Sequence, residues 1–182
     1  WLAALKPEVS AEGMSRHLVV AARLAAEHSW PFDGAEFLWA VGPMNGDWVW
    51  SLAYMAGGEG AAKLMNALVL LLVCSLLYTF LHELLPGRMA ALLTAGFGTM
   101  PLVMTVTGSL DTGNVAGAFL LAGFIFFRRY LKAQKLSDAV AAAFLAGAAA
   151  GASLGGAGFV VALILAAVMS FNGRHILYAG AA

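Results

Sequence analysis

The sequence predicts an all-α, polytopic membrane helical bundle with an N-terminal extracytoplasmic segment of surface helices. Three observations lead there. Of 182 residues, 62% are hydrophobic and 11% are charged, with a mean hydropathy of +0.84. Soluble domains are about half apolar and about a quarter charged. The apolar residues fall in runs long enough to cross a bilayer core of about 30 Å. Most of the carboxylates precede Gly60, and the basic residues after it gather in short loops. The formal net charge is zero, which gives nucleic acid no electrostatic foothold. Cys74 is the one cysteine and can form no intrachain disulfide. The chain starts at Trp1 with no signal-peptide pattern, and reads as part of a longer protein with an upstream anchor.

Residues 1–61 form the outer segment. Over 10–28 the pattern is helical, with Met14, Leu18, Ala21, Ala22 and Ala25 on one side and Arg16, Arg23 and Glu27 on another. Ser10 is placed to cap it. The helix carries too many charges to span and belongs on the membrane surface. Pro31, Gly34, Gly42, Pro43 and Gly46 break the next stretch into short pieces, and Trp30, Trp39, Trp48 and Trp50 mark headgroup level. A short helix starts after Asp47 and ends by Gly57-Gly58.

Residues 62–182 form the bundle, with five spans at 62–81, 89–107, 112–129, 138–155 and 157–171. A single helix over 89–127 would rise roughly 58 Å, so it must turn back, and Gly108, Ser109, Asp111 and Gly113 are the place to turn. Pro101 is tolerated within the second span because neighbouring helices can satisfy the freed carbonyl. Likewise 138–171 would rise roughly 51 Å, with Gly155-Gly156-Ala157-Gly158 as the predicted turn. The Ala/Gly-rich fourth span should pack tightly against neighbours. Arg88, Arg128, Arg129, Lys132, Lys135 and Arg174 then share one side, which is the cytoplasmic one. Glu8, Glu12, Glu27, Asp33, Glu36, Asp47, Glu59 and Asp111 share the other, so any site belongs on that acidic outer face. The location implied is a cell (inner) membrane, crossed several times.

These residues resemble a family. Ala11-Glu-Gly-Met-Ser-Arg-His-Leu18 is similar to the acidic Trp-Asp-x-Leu-x-Tyr-His-Leu stretch of GT-C fold glycosyltransferases, the bacterial relatives of protein mannosyltransferases. Glu12 stands where their aspartate does, and Arg16 replaces the tyrosine. Pro43-Met-Asn-Gly-Asp-Trp-Val-Trp50 is similar to their Pro-x-x-x-Glu-x-Leu-Tyr pattern, with Asp47 for the glutamate. Gly57-Gly-Glu-Gly-Ala-Ala-Lys-Leu-Met-Asn66 resembles the entry to their next membrane helix, and the Leu110-Asp-Thr112 tip is similar too. Ala146-Gly-Ala-Ala-Ala-Gly-Ala-Ser-Leu-Gly155 looks like a small-residue helix that in relatives leads to a lysine, where Gly156 stands here.

The resemblance implies an inverting transfer of a hexose or pentose from a polyprenyl-phosphate donor to an acceptor hydroxyl. An outer-loop carboxylate would act as general base, which requires hydrogen-bond reach and a tuned pKa. Glu12, Asp47 and Asp111 are the candidate catalytic residues, expected to converge on one outer cavity, and Arg16 and Arg23 are the candidate donor-phosphate ligands. Each has a plainer reading: Glu12 as a first-turn carboxylate, Asp47 and Asp111 as helix caps, the arginines as snorkelling residues. The sequence fixes no cofactor, and a divalent metal ion is the one candidate. Some relatives bind a divalent metal, for which His17 and His28 are the nearest candidates, but no tight His-x-x-His or cysteine pair is present. The alternative is a non-catalytic subunit of the same fold that scaffolds other membrane subunits, in line with the departures at Glu12, Arg16 and Gly156. A transporter ranks third, because the spans carry little internal charge and no repeated pair of broken helices.

Overall fold

The computed structural model describes residues 7–11, 13–29, 42 and 44–179, with side chains to Ala166. Glu12, Trp30, Asp33, Glu36 and Trp39 lie outside the described residues, and so does the Arg174 side chain. The described residues are helical and contain no strand. A π-helical turn, Gly13–His17, leads into α1, Leu18–Glu27. Next come α2 (Asn45–His82), α3 (Gly87–Gly98), α4 (Pro101–Gly108), α5 (Gly113–Ala133), α6 (Leu136–Ala150) and α7 (Leu154–Ala179). Of these, α2 and α5 are long and apolar enough to cross a membrane, and α3 with α4 makes a third if the bent pair is one span. Helix α6, with 15 residues, is apolar but shorter.

Local chemistry explains where the chain breaks. Helix α2 is interrupted at Gly57 and Gly58, and Gly58 has φ 68° and ψ −161°, a backbone state open almost only to glycine. The expected short helix therefore ends there and a membrane-length one begins. The second span differs from the expected continuous 89–107 helix. It breaks after Gly98, restarts with Pro101 in the first turn of α4, and bends by 57°. Proline favours that first turn because its missing N–H has no partner there in any case. The turn expected at Gly155–Gly158 is also displaced. The chain turns at 151–153, and Gly156 lies inside α7. Its glycine serves contact instead, since a Cβ there would collide with the backbone at Ala149 and Ala150.

Two ends result. At one, the tip end, the Asn45 amide donates to the Gly151 carbonyl (2.8 Å) and its side chain to Ala148 (3.1 Å). Gly46 abuts Thr112 so closely that a Cβ would clash. Trp50, Ala53, Ala62, Leu110, Val115, Ala116 and Ala152 form the buried core at this end. At the other, the basic end, Arg128 and Lys132 reach Glu83 (3.7 and 3.5 Å), and Arg129 reaches Asp138 (4.0 Å). Between them α5 packs on α6 through small residues, as expected for that segment. A Cβ at Gly123 would stand only 3.5 Å from the Ala142 carbonyl oxygen. Leu68, Leu92, Leu102, Phe144 and Val161 face outward and exposed. That apolar coat suits lipid, since soluble monomers rarely expose contiguous apolar patches beyond a few hundred Å².

Candidate functional site

The polar chemistry of the described residues concentrates at the tip end. Asp47, in the first turn of α2, is 1% exposed. Its Oδ1 pairs with Nδ1 of the buried His17, which the π-helical turn before α1 supplies. Its Oδ2 accepts no hydrogen bond and stands 3.9 Å from Arg16 Nη2. Trp50 and Ser51 lie three and four residues beyond Asp47, which places all three on one helix face. Trp50 Nε1 and Ser51 Oγ are also buried without a hydrogen-bond partner. A carboxylate beside an imidazole and an arginine is a competent proton acceptor for a hydroxyl brought within hydrogen-bond reach, and in this structure Asp47 Oδ2, Trp50 Nε1 and Ser51 Oγ are all closed off from solvent.

A second cluster belongs to Glu8, which is 5% exposed. Oε1 accepts from the Ser10 amide (2.8 Å), the Ser10 hydroxyl (2.6 Å) and the Val9 amide (3.1 Å). Oε2 accepts from the Leu110 amide (2.8 Å), and Lys63 Nζ stands 3.7 Å away. The Glu8 amide donates to Glu59, which also lies 3.9 Å from Lys63. Burial pushes the Glu8 carboxyl up, but the Ser10 and Leu110 hydrogen bonds and the Lys63 ammonium outweigh it. The group is held below the ordinary carboxylate range.

The hairpin tip is held from below by amides. Asn66 Nδ2 donates to Val106 O (2.8 Å) and Ser109 O (2.6 Å), while Asn114 Nδ2 donates to Asn66 Oδ1 (2.9 Å) and Thr107 Oγ1 (3.0 Å). Asp111 turns onto its own loop and accepts the Gly113 N–H (2.6 Å), a local turn just before α5, whose N-cap position is Thr112.

The structure thus joins two of the predicted residues, Asp47 and Arg16. Asp111 is half-buried and engaged with Gly113, Arg23 is exposed on α1, and Glu12 is outside the described residues. The buried face of α1 also differs from the expected one. Val20, Ala21 and Leu24 line it beneath His17, while Met14 is 54% exposed, because the His17–Asp47 pair turns that side inward. Among the described residues no group of three His, Cys, Asp or Glu could hold a metal ion, and His28 is exposed. Sequence reasoning misses the cluster that Glu8 and Lys63 make. The one signal for it is Lys63 at the mouth of an apolar run, four residues after Glu59. Comparison with protein-family models, with curated proteins and with solved structures gives no match.

Proposed function

We propose that this chain is an integral membrane glycosyltransferase module of the GT-C type, crossing the membrane several times and working at its outer face. The observation that supports it is the Asp47 carboxylate: buried, backed by His17 and Arg16, and without a hydrogen bond at Oδ2, at the polar end of an apolar bundle. In this reading the acceptor's O–H proton passes to a carboxylate, Glu12 or Asp47. The acceptor oxygen bonds to the anomeric carbon, and the bond from that carbon to the polyprenyl phosphate breaks with inversion. Arg16 and Arg23 meet the departing phosphate, a task suited to guanidinium geometry.

Membranes carrying the full-length protein, given a panel of polyprenyl-phosphate hexoses and pentoses, should transfer sugar. Asp47→Asn should lower the rate about a hundredfold, the scale of a lost general base. Wild-type rates in both Asp47→Asn and Glu12→Gln would end the catalytic reading. One observation favours the scaffold alternative: Glu8 and Asp111 spend their carboxylates on internal bonds. Absence of transfer by the wild-type protein across the whole panel, with co-purification of other membrane subunits, would establish that alternative instead.

A further inference from the structure

We propose that the groove between α2, α3 and α4 seats an acyl chain of an anionic phospholipid, with the headgroup at the basic end. The proposal rests on the membrane placement of the bundle and not on sugar transfer. The groove encloses about 940 Å³ and is lined mainly by apolar atoms. Its α3 wall is built of small residues, Ala91, Ala95 and Gly98, at the i, i+4, i+7 spacing of one helix face. Small size is needed there, because a Cβ on Gly98 would approach Cys74 Sγ to 3.3 Å. Along α2 the groove runs from Ala67 to Thr79, roughly 18 Å at 1.5 Å per residue. One leaflet of a core about 30 Å thick is about 15 Å deep, so the groove accommodates a chain extended along its leaflet.

Charge decides the headgroup. Near its basic end the groove is lined by Tyr78, whose ring stacks on His82 (centroids 5.6 Å apart), and Gly87 packs against both. Arg88 comes immediately after and is exposed. No ion pair to it occurs among the described residues, whereas Arg128 and Lys132 at the same end share the single carboxylate of Glu83. At this end Arg88, Arg128, Arg129, Lys132 and Lys135 outnumber the carboxylates of Glu83 and Asp138. A phosphate monoanion offsets that excess, while a zwitterionic headgroup brings a further cation. A cation close to an anionic headgroup contributes roughly a fivefold gain in affinity.

The test uses purified wild-type protein in detergent, titrated with phosphatidylglycerol and with phosphatidylcholine of the same chains, and native mass spectrometry to count retained lipids. Phosphatidylglycerol should be retained at clearly lower concentration. Arg88→Gln, an exposed change that leaves packing intact, should reduce the preference roughly fivefold. Ala91→Phe, which projects into the groove, should lower retention of both lipids. Equal retention by the wild type, an unchanged preference in Arg88→Gln, or unchanged retention in Ala91→Phe would each overturn the proposal. Alkaline carbonate extraction run alongside tests the membrane placement separately. Wild-type protein released by carbonate would fail that placement, whatever the lipid counts.

Discussion

Glu8 ties three separated stretches together: the segment before α1, the start of the first membrane-length helix through Lys63, and the hairpin tip through the Leu110 amide. Because its folded pKa lies below the ordinary value, its contribution to stability is fully present at neutral pH. That contribution is lost as pH falls through the folded pKa, when the unfolded chain binds its proton more readily. Glu8→Gln should therefore destabilise the protein at neutral pH by roughly 1–3 kcal/mol, the scale of charge-assisted bonds removed from a buried site. It should also flatten the decline of melting temperature on acidification. A variant that melts like the wild type at neutral pH would show that the clasp contributes nothing. In the sequence, Glu8 is one carboxylate in an acidic stretch, and nothing local marks it. Its partners lie 55 and 102 residues away along the chain. Asp47 is easier to find because it opens a helix beside two tryptophans, although its imidazole partner is set by tertiary packing.

At the level of elements, the breaks that succeed and fail as predictions differ in what the glycines do. Gly57-Gly58 is a true conformational break, and its two consecutive glycines announce it. Positions 155–158 carry three glycines but remain helical, since Gly156 is there for close passage over the end of α6 and not for a turn. Composition alone cannot separate the two uses. Substitution can. A Cβ at Gly58 meets nothing within 4 Å, so any cost of Gly58→Ala comes from its φ of 68° alone. We expect a loss of about 1–3 kcal/mol, the usual cost of a strained backbone state. Gly60→Ala, equally uncrowded but in ordinary helical geometry, should be neutral or stabilising by up to about 1 kcal/mol. Thermal unfolding of the two variants in the same detergent checks the contrast, and equal melting temperatures would remove the hinge from Gly58. The break before Pro101 is readable in principle, because proline in a first turn is a start signal. The length of the apolar run conceals it.

For the molecule as a whole, hydropathy points to a membrane protein, and the structure is in line with it: the chain is helical over its described residues, with two helices long and apolar enough to cross a membrane and exposed leucines along α2. Hydropathy reveals the number of crossings less well. Helix α6 has 15 residues and would rise roughly 22 Å, short of a core about 30 Å thick, although the composition around it is continuous with a span. The ordering of the two ends is firmer. Acidic Glu8, Asp47 and Glu59 gather at the tip end, and Arg88, Arg128, Arg129, Lys132 and Lys135 belong to loops and helix ends at the other. Positive charge in short loops tends to stay on the cytoplasmic side, so the proposed topology has the tip end outside. Single cysteines in a Cys74→Ser background test this, at Met14→Cys for the tip end and Ser137→Cys for the basic end, both exposed positions. An impermeant thiol reagent added to intact cells should label Met14→Cys and leave Ser137→Cys until the cells are lysed. The opposite pattern would invert the orientation and move the Asp47 cluster to the cytoplasmic face. Labelling of both positions in intact cells would mean that the bundle does not separate two compartments, and the lipid-linked donor would lose its physical basis along with the topology.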